Sequence, residues 1–461
     1  MNTSTRRKRI LSLALPIVGG MISQNVLNLV DTAMVGSLGD EALAAVGIGS
    51  FANFMSIAFI MGLSTGVQAI AARRLGEGRE NETAGPLNVG LLLAVIMAVP
   101  ASILIIRYTP NFFPYLHKDP SLIAIGIPYL QARLIGMTAV GMNFAFRGYW
   151  NAINLSKLYM RTIIVMHITN IIFNYLLIFG KFGFPQMGAT GAGMASAIAT
   201  YVGTLYYFYL GFKHARPNGF MKSFSFSDIT TILRLSLPSS FQQFFFAAGM
   251  TALFWIIGRV DVYSATVSSI QMATAGTFGN TELGTAAVAA SNVLINLLLV
   301  GILPGIAFGI AAASLVGQAL GKKDPEDAKA WGWQVARIAS VIVGSFTIPG
   351  IFFPDLLLGI FIHNPETIAL GRAPLQLLAL TLCFDTIGMV LLNALQGAGD
   401  TQRVMYVSIA MQWLVFLPVA YIAGPMVGLF GIWCLQVSYR SLQTIIFTFF
   451  WAQGKWQTIQ V

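Results

Sequence analysis

Apolar stretches of roughly 20 residues recur along the whole chain, divided by short polar loops. A helix rising 1.5 Å per residue needs about 20 residues to cross a hydrocarbon layer about 30 Å thick. Charged residues make up 10% of the chain and hydrophobic ones 56%. A soluble domain carries about 25% charge, so this composition excludes one. No segment is long and polar enough to form a separate soluble domain, and the expected class is all-α integral membrane.

Twelve spans are expected, centred near residues 25, 59, 97, 135, 168, 200, 245, 300, 342, 378, 413 and 440. The net charge of +10 does not gather into a nucleic-acid patch. It falls in alternate loops, in Arg73, Arg74 and Arg79, Lys157 and Arg161, Lys213, Arg216 and Lys222, and Lys322, Lys323 and Lys329. The opposite loops hold only Arg107, Lys118, Lys181, Arg259 and Arg372. By the positive-inside rule both termini are cytoplasmic. Arg6 to Arg9 precede an apolar run too long for a signal peptide. Cys383 and Cys434 lie inside apolar spans and read as reduced packing residues.

The two halves repeat. Leu13-Ala-Leu-Pro16 returns as Leu235-Ser-Leu-Pro238, and Leu38-Gly39 with Ala44-Ala45 as Leu283-Gly284 with Ala289-Ala290. Leu75-Gly76 matches Leu320-Gly321, while Pro120 and Met160 match Pro365 and Met405. The second half carries roughly twenty extra residues within Arg259–Thr281. Six spans per unit give both halves one orientation, related by an axis along the membrane normal. The expected bundles are residues 1–216 and 229–461, joined by a cytoplasmic linker at 217–228, with a cavity between them.

Asp31 stands alone as a charge in Ile10 to Leu38. A carboxylate at the centre of a membrane helix costs about 2.5–3.5 kcal/mol on insertion scales, so its default reading is a proton or cation site. Pro16, Gly20, Gln24, Asn28 and Asp31 follow steps of four or three and share one helix face. That polar stripe must face protein or a wet cavity. Pro16 removes a backbone hydrogen bond and marks a candidate bend. The bland alternative is a structural Asp bonded to neighbouring amides. Span five offers His167, Asn170 and Asn174 on one face, able to bond a protonated carboxyl, to coordinate Na⁺, or simply to tie helices together. Asp385 is the other acid deep in a span, open as a second ion site, a substrate counter-charge or a structural acid. Asp355 and Glu366 fall at loop edges.

Enzyme-like patterns fail on context. Gly62-Leu-Ser-Thr-Gly66 matches a nucleophile elbow, but that elbow needs a strand before it. Its repeat, Gly305-Ile-Ala-Phe-Gly309, keeps only the glycines, which reads as helix packing. Gly317 to Lys323 lacks phosphate-loop spacing. The histidines, 117, 167, 214 and 363, have no metal-ligand spacing, so no metal or cofactor is expected. Any pumping must then draw on an ion gradient.

Several features taken together resemble the multidrug and toxic compound extrusion (MATE) transporters over essentially the whole chain. They are the doubled six-span repeat, the Leu-Pro entries, Val35-Gly-Ser-Leu-Gly39 with Leu43-Ala-Ala45, Asn170 to Gly180, and Gln396-Gly-Ala-Gly-Asp-Thr401. An acid in span one and none in the apolar part of span seven is similar to the DinF-like branch. There the resemblance implies a coupling role for Asp31 and helix bending at Pro16. Archaeal relatives add an acid in span five, where this chain has Asn174, and that departure favours protonation over bare Na⁺. The NorM-like branch has an acid in span seven, where this chain has Gln242 and Gln243, and an acid in span ten matching Asp385.

The expected function is export of amphipathic, often cationic aromatic drugs in exchange for H⁺, by alternating access. The expected protein is a monomer in the bacterial inner membrane, binding lipid and small molecules but no nucleic acid. The expected coupling residues are Asp31, Asn170, Asn174, Asn28, Gln24 and Thr200, and Na⁺ coupling through Asp31, Asn170, Asn174 and Thr200, or at Asp385, is the alternative mechanism. A lipid-linked precursor flippase is the alternative of another class, and its basic central cavity is the feature to look for.

Overall fold

A computed structural model describes residues 3–222, 224–273, 281–362 and 364–460, with the side chains at 254–255, 257–292, 295–296, 299–300, 366–367, 370, 425 and 428–429 outside that description. The first half holds α1 (Thr3–Gly36), α2 (Asp40–Met61), α3 (Leu63–Gly76), α4 (Gly85–Leu116), α5 (Pro120–Ile135), α6 (Met137–Ala152), α7 (Ser156–Phe179) and α8 (Gly188–Leu210). The second holds α9 (Phe226–Ala273), α10 (Thr281–Gly321), α11 (Pro325–Phe352), α12 (Pro354–Gly359), α13 (Pro365–Ala398), α14 (Thr401–Ile409) and α15 (Leu417–Gln453). Gly62 divides span two into α2 and α3. Span four bends by 46° between α5 and α6, beside Gly136.

Among the described residues eight helices are long and apolar enough to cross a membrane, nine if the bent pair is one span. The remaining expected spans fall on α8, on the first part of α9 and on the last part of α15, where polar residues interrupt the apolar pattern. The helical backbone from Leu417 to Gln453 is not one rod. Phe416 and Tyr439 stack with ring centroids 4.6 Å apart. Along a straight helix those positions would lie about 34 Å apart, so the chain doubles back between them. Spans eleven and twelve are therefore antiparallel neighbours, completing twelve helices in two six-helix bundles.

The repeat survives in three dimensions. In the first half α1 packs on α7, α2 on α5, α4 on α6, and α5 on α8. In the second α9 packs on α14, α10 and α11 on α13, and α13 on α15. Both Gly-x-x-x-Gly motifs are packing surfaces. A Cβ at Gly62 would lie 2.4 Å from the Ser236 carbonyl oxygen on α9. One at Gly309 would lie 2.6 Å from Asn393 Nδ2 on α13. The expected extra stretch within Arg259–Thr281 lies largely outside the description. Helical backbone continues to Ala273, and 274–280 are not among the described residues.

The bundles are tied together on the side that carries both termini. Arg74 bonds Asp228 at 2.6 Å, with the carboxylate buried and the guanidinium half-buried. Arg73 donates to the Ile459 carbonyl at 2.8 Å, and Gln68 donates to the Ile310 carbonyl at 2.7 Å. Gln318 Nε2 reaches the Ala152 carbonyl at 2.7 Å, and Arg9 meets the Gln318 amide oxygen. Arg6 pairs with Asp327. Ile10, Leu13 and Ala14 of α1 enter the main apolar core of the second bundle. Gly76 and Gly321 make the closest approach, because a Cβ on Gly76 would sit 2.0 Å from the Gln318 carbonyl oxygen. Gly317 to Lys323 is thus the end of a packed helix, not a phosphate loop. The linker is fastened to the first bundle: Asn218 bonds the Tyr149 hydroxyl, and Asn88 accepts from the Met221 amide.

Candidate functional site

The polar stripe on α1 meets the polar face of α7. Both helices form from long-chain and apolar residues, and Gly20 lets them close on each other. A Cβ at Gly20 would lie 2.8 Å from the Tyr159 ring. Pro16 is buried within α1, and the helix runs on past it. At the far end Gly180, with φ 65°, takes the left-handed backbone that terminates α7.

Asn174 Nδ2 donates to Asp31 Oδ1 at 2.6 Å. The same amide donates to Asn170 Oδ1 at 2.9 Å, and Asn170 Nδ2 donates to Ser196 Oγ at 3.1 Å. Asn170 and Asn174 are buried, whereas Asp31 is half-buried. Asn174 Oδ1 is buried and has no protein partner. Arg133 is the cation whose charge bears on Asp31, and no ion pair joins them among the described residues. A shared amide with one free acceptor can serve either a protonated carboxyl or a small cation.

The other expected residues divide. Gln24 Nε2 donates to Asn28 Oδ1 at 3.3 Å, and Gln24 Oε1 lies 3.3 Å from His167 Nε2. They form a second polar group on the same pair of helices. Thr200 stands apart, its hydroxyl donating to the Ser196 carbonyl at 2.6 Å. It reaches the site only through Ser196.

Asp385 on α13 is paired. Its Oδ2 accepts from Arg440 Nη2 at 2.8 Å and from Arg440 Nε at 3.2 Å. Arg440 Nη1 donates to Gln443 Oε1 at 3.3 Å. The pair borders a cavity of about 240 Å³ in the second bundle, lined also by Gln242, Gln396, Gln412, Trp433 and Gln436. The sequence reading missed Arg440, although it stands at the expected centre of span twelve. It also missed Arg147 on α6. That cation donates to Ser64 Oγ at 3.3 Å and lies 4.5 Å from the Phe144 ring centroid. The signal was the same for both, a lone cation in an apolar span.

Two repeated six-helix bundles, buried polar clusters at mid-span and a seal on one side define a secondary membrane transporter, not an enzyme. The chain belongs to the MatE family, whose model matches residues 16–176 and 262–422, once in each half. Among relatives, the probable multidrug resistance protein NorM of Pasteurella multocida is 28% identical, covering 92% of this chain and 89% of its own. The probable NorM of Thermotoga maritima is 25% identical over 98% and 93%. The multidrug resistance protein MdtK of Yersinia enterocolitica is 24% identical over 92% and 91%. Among solved structures, the outward-facing conformation of a multidrug resistance MATE family transporter has a TM-score of 0.84 at 22% identity, covering 99% of this chain and 97% of that one.

Proposed function

We propose that the protein is a multidrug efflux antiporter that exchanges amphipathic, often cationic aromatic compounds for H⁺ in a bacterial inner membrane. In this reading residues 1–216 and 229–461 are the moving bundles, 217–228 is their link, and the termini are cytoplasmic. The sealed end then faces the cytoplasm, giving a form open to the outside. A single chain performs the cycle. The names of the relatives support drug efflux, and the acid in span one supports the DinF-like pattern.

Proton coupling rests mainly on one observation. Asp31 has an amide, Asn174, as its hydrogen-bond partner and no second carboxylate. One carboxylate gives a weak field for a bare ion but is sufficient to carry a proton. Protonation from outside rearranges α1 about Pro16 and expels the drug; loss of that proton to the cytoplasm resets the cycle. Asn170, Asn28 and Gln24 tune the two faces, while Thr200 stays outside them. Asp31→Asn should stop efflux from proteoliposomes under an imposed pH gradient while leaving the folded fraction unchanged. Continued proton-driven export by that variant would sink the mechanism.

The free acceptor Asn174 Oδ1 favours one second reading, a Na⁺ held by Asp31, Asn170 and Asn174. Imposing pH and Na⁺ gradients separately decides between the ions.

A further inference from the structure

The two bundles treat their buried acids differently. Asp31 has no ion-pair partner among the described residues, whereas Asp385 is held through one oxygen by two nitrogens of Arg440. Among the described residues Asp385 and Arg440 are the only charged ones lining the second bundle's cavity, and their charges cancel. The remaining polar lining is amide and hydroxyl: Gln242 Oε1 accepts from Gln396 at 2.8 Å, and Gln242 Nε2 donates to Ser408 at 3.2 Å. Asp385 Oδ1 takes no hydrogen bond from the described residues. Gln436 Oε1 and Trp433 Nε1 are buried in the same wall without protein partners.

We propose that Arg440 is a tethered cation that occupies Asp385 in place of an exchangeable one, excluding free monovalent cations from the second bundle and leaving coupling to Asp31. The inference rests on the antiport reading for its consequence, but its own claim concerns cation binding alone. A guanidinium is always charged and fits a carboxylate with a rigid fork, so it does not leave as a proton or Na⁺ would. Its stem is anchored on the last span, and Gln443 holds its remaining arm. The carboxylate therefore sees a cation of fixed occupancy. The acceptors Asp385 Oδ1 and Gln436 Oε1 would complete an oxygen site for a small cation once the guanidinium is gone.

The test is ²²Na⁺ binding to purified full-length protein in nanodiscs, with Trp433 fluorescence as a second readout. Wild type should show no Na⁺ binding that Asp385→Asn removes. Arg440→Gln should gain saturable binding, roughly tenfold above wild type at equal free Na⁺, and Asp385→Asn/Arg440→Gln should lose it again. Arg440→Lys keeps a tethered charge and should remain like wild type, and it serves if Arg440→Gln folds poorly. Either Asp385-dependent Na⁺ binding in wild type, or its absence from a folded Arg440→Gln, overturns the proposal. A free-cation response in Arg440→Lys overturns it as well. None of these readouts depends on drug transport, so failure of the antiport reading would be seen separately.

Discussion

Asn174 of the fifth span donates a 2.6 Å hydrogen bond to Asp31 of the first, and it is the one side chain bonding that carboxylate among the described residues. Asn174→Ala removes a hydrogen bond to a charged group, a loss of about 1.5–3 kcal/mol, or roughly 10- to 100-fold in the equilibrium it controls. Efflux should weaken and its dependence on external pH should shift, as drug-efflux rates across a pH series will read. Asn174→Asp adds the missing second carboxylate and should introduce dependence on external Na⁺. Unchanged pH and Na⁺ profiles in both variants would remove Asn174 from the coupling site.

At the sealed end, Gly76 faces the Gln318 backbone with no room for a side chain. Gly76→Val should keep that end from closing. Asn154→Cys, placed beside Gln318, should then react with a membrane-impermeant thiol reagent faster from the side of the termini than it does with Gly76 intact. Equal labelling rates would mean that the neighbouring helix yields.

Arg74 of the first bundle and Asp228 at the start of α9 form an ion pair whose carboxylate is buried. Removing one partner of such a pair costs about 3–5 kcal/mol. Asp228→Ala should therefore lower the thermal unfolding midpoint in detergent well below that of Arg79→Ala, whose partners are solvent-exposed. A midpoint equal to that control would show the pair to be inert.

Asp400, in the turn before α14, is buried, and burial raises its pKa while Arg403 opposes the shift. The folded state thus holds this proton to higher pH than the unfolded chain does. Its contribution is fullest below the unfolded value and is lost as pH rises through the folded one. Asp400→Asn should flatten the fall in stability as pH rises above the ordinary carboxylate range. An unchanged pH–stability slope would count against this account.

The fold was legible because bilayer thickness dictates helix length, and the repeated motifs place six spans in each half. Asp31 with Asn174 was legible as well, since helical spacing put each on a polar face and the family resemblance supplied the pairing. The Asp385–Arg440 pair was not. Its members lie on different helices, and no periodicity within one helix says which neighbour it meets. Thr200 was drawn into the site by its position in span six, but its hydroxyl satisfies a carbonyl of its own helix instead. The reversal between Phe416 and Tyr439 was legible as two separate spans, centred near residues 413 and 440.

Gly76 and Gly321 bring the two bundles together at the level of the main chain. Side chains at such a seam leave rotamer-sized gaps through which water files can form, and water files conduct protons. Main-chain contact leaves no such gap. At these two glycines the spacing of the bundles is therefore set by backbone atoms, which cannot change rotamer.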